Sequence, residues 1–381
     1  MSTSSLLLNP AKAGFFHAHP QTASYCVSFS LSHRSQMRIT RKKIGRKSVL
    51  IALLLAPSGL LAACDTSGSK EIGVYSGRHY NTDQELYDRF TAETGIKVKL
   101  LEAKDDALIQ RLRSEGADSP ADVLILADAA RLDRAAQLDL FQSVDSAALE
   151  AAVPADLRDP NNRWFGLTRR LRAPMVNPAK VQATEVNSYR KLADPALKGR
   201  LCLRNRRSVY NQSLVAFMLD REGEAATAAW IRGMVANLAQ PVYGSDTPMI
   251  RAVAQGRCGV ALANSYYLGR LQAGDKGADD QKLSAAVQVV WPDPVHVNIT
   301  GGGITRHSQH PKEARRFLEF LASNQAQGGY AAANHEYPIR GFGNDPVLSA
   351  WGPFRQADVS AARLGELNGK ALDLMTANGW Q

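Results

Sequence analysis

From residue 71 onward the apolar positions switch repeatedly between the spacing of a strand and that of a helix. Ile72-Gly73-Val74-Tyr75 reads as a short strand, followed by the turn Ser76-Gly77-Arg78-His79-Tyr80-Asn81. Thr82 with Glu85 three residues on has the spacing of a capping box. Leu86 and Phe90 then share a helical face, and Gly95 supplies a stop. Residues 96–100 alternate as a half-buried strand does. A helix begins at Asp105 or Asp106, turns Leu108, Ile109 and Leu112 inward, and ends near Gly116. Residues 121–126 are almost continuously apolar, the pattern of a strand covered on both faces, and 128–140 is helical again. Strand and helix in strict turn predict an α/β lobe built on a mostly parallel sheet.

The pattern changes at Arg169-Arg170-Leu171-Arg172-Ala173-Pro174, which reads as a crossing between two lobes. A strand at 201–203 leads through the basic loop 204–208 to Tyr210-Asn211-Gln212, which opens a helix carrying Leu214, Val215, Met218 and Leu219. The basic loop reads as solvated surface or as a contact for an acidic partner. Helices follow over 224–236 and 249–254. The apolar run Gly259-Val260-Ala261-Leu262-Ala263 is a short buried strand ending in Asn264-Ser265-Tyr266-Tyr267-Leu268-Gly269-Arg270. Residues 287–290 with Pro292 and Pro294 suggest a second crossing. An amphipathic helix spans 311–323, and a last one 359–377. These patterns divide the chain into residues 71–170 with 293–342 as an N-terminal lobe, and 171–292 with 343–381 as a C-terminal lobe.

Ahead of the first strand stands a different kind of sequence. Arg38, Arg41, Lys42, Lys43, Arg46 and Lys47 precede the mostly apolar stretch 49–61, which closes in Leu61-Ala62-Ala63-Cys64. This is the layout of a secretory signal, and the apolar run is shorter than the ~20 residues of a membrane span. Its ending resembles the lipobox of bacterial lipoproteins, which implies that Cys64 becomes the lipidated first residue after a leader of residues 1–64. Met37 directly before the charges is a start as plausible as Met1. Residues 65–70 form a polar tether. The expected location is the periplasm of a Gram-negative bacterium, at the membrane through a lipid anchor alone.

Charge sharpens this picture. The formal net charge is +10, but residues 1–64 hold eight of the 46 Lys and Arg and none of the 36 Asp and Glu, leaving 38 against 36 in the remainder. The basicity belongs to the leader, so a polyanion-binding role loses its support and no nucleic-acid partner is expected. Export also implies an oxidising compartment, where Cys202 and Cys258 are expected to form a disulfide. There is no G-x-S-x-G, no H-E-x-x-H and no cysteine with a nucleophile's partners, so no enzyme is expected.

Three loops, each at a strand end and a helix start, carry His79 and Tyr80, Tyr210, and Tyr266 with Tyr267. Ligands of α/β folds bind at such strand ends. A phenol has a reference pKa of about 10 and stays neutral at pH 7 unless a strong Lewis acid displaces its proton. Ferric iron does so, as in tyrosine-ligated haem. Three phenolates balance Fe3+, and a fourth leaves an excess negative charge that Arg270, one helical turn beyond Tyr267, could offset. Arg78 and Arg172 could equally hold a co-bound anion such as carbonate.

With these residues in place, the chain from Ile72 onward resembles the periplasmic ferric-ion-binding proteins that serve bacterial iron(III) ABC importers. The resemblance rests on Tyr75-Ser76-Gly77-Arg78-His79-Tyr80, on Tyr210-Asn211-Gln212-Ser213 and on Asn264-Ser265-Tyr266-Tyr267-Leu268-Gly269-Arg270. Ser119-Pro120-Ala121-Asp122-Val123 and Trp164-Phe165-Gly166 add framework stretches. It implies a two-lobed periplasmic-binding-protein fold of the class II type, with the ligand in the interlobe cleft. It also implies His79, Tyr80, Tyr210, Tyr266 and Tyr267 as metal ligands, Fe3+ as cargo, a monomer, and a permease/ATPase complex as partner. An organic solute such as a polyamine or sugar, stacked on the same rings, is the competing reading.

Overall fold

Among the described residues nine strands carry the framework: β1 (Glu71–Ser76), β2 (Lys97–Glu102), β3 (Val123–Ala127), β4 (Phe165–Val176), β5 (Leu201–Cys202), β6 (Val260–Asn264), β7 (Gln288–Val289), β8 (Val297–Ile304) and β9 (Tyr337–Pro338). The computed structural model describes residues 70–78 and 83–381. The leader with Met37 and Cys64, residues 65–69 of the tether, and His79, Tyr80 and Thr82 of the first turn lie outside the described residues. Hydrogen bonding orders the strands β2-β1-β3-β8-β4-β6-β5, with β7 and β9 also paired to β4.

Between the strands named, parallel pairing joins β2-β1-β3 and β5-β6. The long strand β4 runs antiparallel to all its neighbours, and this is what joins the two halves. Its first part, to Leu171, pairs with β8, whereas Arg172 to Val176 pair with β6. Every residue of β4 is buried, as a strand in the middle of both halves must be. The chain returns from β7, on the second half of β4, to β8, on the first, through the segment containing Pro292 and Pro294.

Helices cover the sheet by the apolar faces that the sequence shows. Ala314, Phe317, Leu318 and Leu321 of the helix Pro311–Ala322 are buried, and Phe317 meets Tyr87 and Phe90 edge-on at 5.3 and 5.1 Å. Burying one such ring contributes roughly 1.5–3 kcal/mol. The last helix differs from expectation. It is two helices, Ala361–Glu366 and Asn368–Ala377, which pack on different partners: the first on the helix Ala129–Gln137, the second on the helix Val209–Glu222. Gly365 permits the first contact, since a Cβ there would lie 2.4 Å from Asp133 Cβ. The C-terminal segment therefore packs against both of these helices.

The described residues, 70–78 and 83–381, belong to one compact unit. Among the described residues no helix is long and apolar enough to cross a membrane.

Candidate metal site: tyrosines framed by arginines

The helix Val209–Glu222 starts abruptly after the basic loop, and its first-turn amides fix that loop in place. Asn211 Nδ2 donates to the carbonyls of Arg204 and Asn205 at 2.8 and 3.1 Å, and Gln212 Nε2 donates to that of Arg206 at 2.8 Å. Ser213 Oγ donates to Asp128 Oδ1 at 2.5 Å, tying this helix to the end of β3. Burial raises the pKa of Asp128, and its hydrogen bonds only partly offset that. Tyr210 is thus presented, half-buried, from a braced turn.

Tyr266 and Tyr267 come from the junction of β6 and the helix Ser265–Ala273. Arg172 sets this junction. Its Nη1 donates to Asp246 Oδ2 at 3.0 Å and Asn264 Oδ1 at 2.9 Å, and its Nη2 to the carbonyl of Leu262 at 2.8 Å. The two tyrosine rings lie 4.3 Å apart at 34°, Tyr266 fully buried and Tyr267 half-buried. Behind them, Cys202 and Cys258 are joined in a disulfide, Cα atoms 5.9 Å apart, bracing β5 against the start of β6.

One guanidinium connects the loops. Arg170 Cζ lies 5.1 Å from the Tyr210 ring centroid and 4.6 Å from that of Tyr266. Arg204 sits 5.4 Å from Tyr210, and Arg270 5.6 Å from Tyr266. The Arg204 guanidinium also feels Asp246 and all three phenols, which together overcome its burial and raise its pKa. Arg131 is raised likewise, against its own burial, by Asp105, Tyr210 and Asp106. Tyr210, Tyr266 and Tyr267, 56 residues or more apart in sequence between the first and the other two, therefore share one cationic surround. Among the described residues no group of three or more His, Cys, Asp or Glu could hold a metal ion. The hard donors that the site offers are phenolic.

Arg78 and Arg172 both have internal partners. Arg78 is fully buried and donates to Asp83 (2.8 and 3.1 Å), Glu336 (2.9 Å) and the carbonyl of Tyr330 (2.9 Å), with the Tyr330 ring 4.1 Å beneath it. Arg172 is spent on Asp246 and the end of β6. Both guanidiniums are thus engaged by partners within the protein. Arg270 does face the pair, over Tyr266. The residues that sequence reasoning missed are Arg170, read as part of a crossing, and Arg204, read as solvated. Arg170 had a signal: it shares a strand face with Arg172 in a strand otherwise fit for burial, and a buried arginine needs a partner.

A two-lobed α/β framework with polar donors gathered where strands end defines a solute-binding protein of the periplasmic type. The chain belongs to the bacterial extracellular solute-binding protein family, whose model matches residues 76–328. It is similar to iron uptake protein A1 of Synechocystis sp., 43% identical over 339 residues that cover 85% of this chain and 94% of that protein. It is also similar to the Fe(3+)-binding periplasmic protein of Serratia marcescens, 29% identical over 348 residues, 90% of this chain and 99% of the other. Among solved structures, the Trichodesmium IdiA/FutA protein in complex with iron and citrate superposes with a TM-score of 0.79 at 42% identity, over 82% of this chain and all (100%) of that one. The ferric binding protein of Campylobacter jejuni gives 0.76 at 32% identity, over 81% and 100%.

Proposed function

We propose that this protein captures ferric iron outside the cytoplasm and hands it to the permease/ATPase complex of an ABC importer. The observation that carries the reading is the convergence of Tyr210 and Tyr266 on the Arg170 guanidinium, with the Tyr267 ring 4.3 Å from that of Tyr266. Three phenolates from these residues balance the ion's charge. His79 and Tyr80, from the loop after β1, complete the set from the other half of the molecule. The surrounding arginines offset the excess negative charge that a fourth phenolate brings, and they favour deprotonated phenols at the moment of binding. No single loop supplies more than two donors, so capture needs the two halves together, and opening them by hinge motion releases the cargo. The lobes meet along the crossing segments, residues 71–170 with 293–342 on one side and 171–292 with 343–381 on the other. Cys64, as the lipidated first residue, tethers the receptor close to its permease.

The test is a titration of the metal-free protein with ferric citrate, followed by visible absorption and metal analysis. One iron per chain and a phenolate-to-iron charge-transfer band are expected. A protein that stays colourless and metal-free overturns the proposal.

A further inference from the structure

Three consecutive residues, Asn334, His335 and Glu336, lie where separate parts of the tyrosine site come together. Glu336 is fully buried and accepts hydrogen bonds from every side. Its Oε2 takes Arg78 Nη1 at 2.9 Å, Thr300 Oγ1 at 3.1 Å and the Thr168 hydroxyl. Its Oε1 takes Asn334 Nδ2 at 2.5 Å and lies 3.4 Å from Arg170 Nε. Burial alone would raise the pKa of this carboxyl, but Arg78 and Arg170 outweigh it and hold it below the ordinary range. A charge so placed is a fixed negative point between two cations.

These contacts lead on to residues around the tyrosines. Arg78 immediately precedes His79 and Tyr80. Arg170 carries its guanidinium over Tyr210 and Tyr266. The Asn334 amide, held by Glu336, accepts from Arg270, which lies over Tyr266. The helix bearing Tyr266 and Tyr267 seats on the same segment: a Cβ on Gly269 would lie 2.7 Å from His335 Cβ, so the helix docks there only with glycine. The segment itself is pinned by His335, whose φ is 52°. Its ring nitrogens face Asp345 at 2.6 Å and Asp275 at 3.2 Å.

We propose that Glu336 is a positioning residue for the tyrosine cluster, acting through Arg170, whose guanidinium lies over both Tyr210 and Tyr266. This rests on reading the cluster as a ferric site. Glu336 touches no ligand; it acts by where it puts Arg170. Neutralising it removes the carboxylate that lies 3.4 Å from Arg170 Nε, while Asp83 continues to hold Arg78. Arg170 then shifts against the phenol rings, and the electrostatic surround of the bound ion shifts with it.

The experiment compares wild type, Glu336→Gln, Arg170→Met and the double variant. It reads ferric affinity by chelator competition, the maximum of the charge-transfer band, and unfolding of the metal-free proteins. Glu336→Gln is expected to weaken ferric affinity by about 10–100-fold, the usual cost of losing an outer-shell partner, and to move the band. The double variant is expected to match Arg170→Met, because the two residues act in series. Should Glu336→Gln fail to fold, the comparison of the double variant, which lacks both charges, with Arg170→Met still decides. A band and affinity unchanged in folded Glu336→Gln, or effects of the two substitutions that simply add, overturn the role. A wild type without any band overturns the ferric reading instead.

Discussion

Replacing Tyr266 by Phe removes one oxygen and leaves the packing intact. The ring lies 4.3 Å from Tyr267, with Arg170 at 4.6 Å and Arg270 at 5.6 Å, contacts that phenylalanine also makes. In the metal-free protein the lost hydroxyl is therefore worth about 1 kcal/mol. With iron bound the same atom is a ligand. Its loss should cost at least what an outer-shell defect does, about 100-fold in affinity. At a free iron level about 1,000 times the wild-type Kd, binding stabilises the wild type by about 4 kcal/mol, and a 100-fold weaker variant by about 1.4 kcal/mol. For a folded chain of about 300 residues, each kcal/mol moves Tm by roughly 1.5 °C. The iron-induced rise in Tm should shrink by about 4 °C in Tyr266→Phe, while the metal-free Tm moves by about 2 °C or less. Calorimetry of both proteins with and without iron measures this. Equal iron-induced rises would refute the reasoning, because a stacking ring and a ligand would then be indistinguishable.

Other consequences follow from the same structure. Each phenol that gives up its proton to the ion makes binding up to tenfold weaker per pH unit of acidification, so three together should give about 1,000-fold between pH 7 and pH 6; competition with a chelator of known pH dependence measures it, and a flat profile contradicts it. His296 is fully buried, and burial followed by the nearby Arg172 charge lowers its pKa to about 3. The unfolded chain protonates first, so stability should fall below pH ~6.5 by about 1.4 kcal/mol per unit. Urea unfolding of His296→Phe should show this acid slope reduced by one proton, and identical slopes would exclude it. Breaking the disulfide with Cys202→Ser and Cys258→Ser opens a 56-residue separation. This should cost about 4 kcal/mol in chemical denaturation while the visible band of the loaded protein keeps its position; a displaced band would mean that the bridge shapes the site directly.

How much of this was legible beforehand depends on what kind of signal each residue leaves. Tyr210, Tyr266 and Tyr267 were visible because each sits between an apolar strand and an amphipathic helix, and local pattern alone locates such junctions. The covered strand at 123–127 and the helix from 311 were visible for the same reason. The partners of the charged residues were not. Arg204 and Glu336 look in sequence like ordinary surface charges, and Arg170 shows only that it needs a partner; their meaning arises from pairing across long separations, such as Arg78 with Glu336 or Arg172 with Asp246. Sequence periodicity carries no information about which buried cation meets which anion. That is why Arg78 and Arg172 invited a bound anion, although buried carboxylates already occupy them. The break at Leu367 was hidden likewise, since apolar spacing runs on through a point where the chain changes the surface on which it packs.

The central claim is that the phenolic oxygens of Tyr210, Tyr266 and Tyr267 meet at one ferric ion. Crystals of the iron-loaded protein, with anomalous diffraction recorded across the iron absorption edge, address it directly. One iron peak in bonding contact with all three oxygens, closed from the other side by His79 and Tyr80, is the expected result. A peak elsewhere on the molecule, or an iron that leaves these tyrosines uncoordinated, would contradict it.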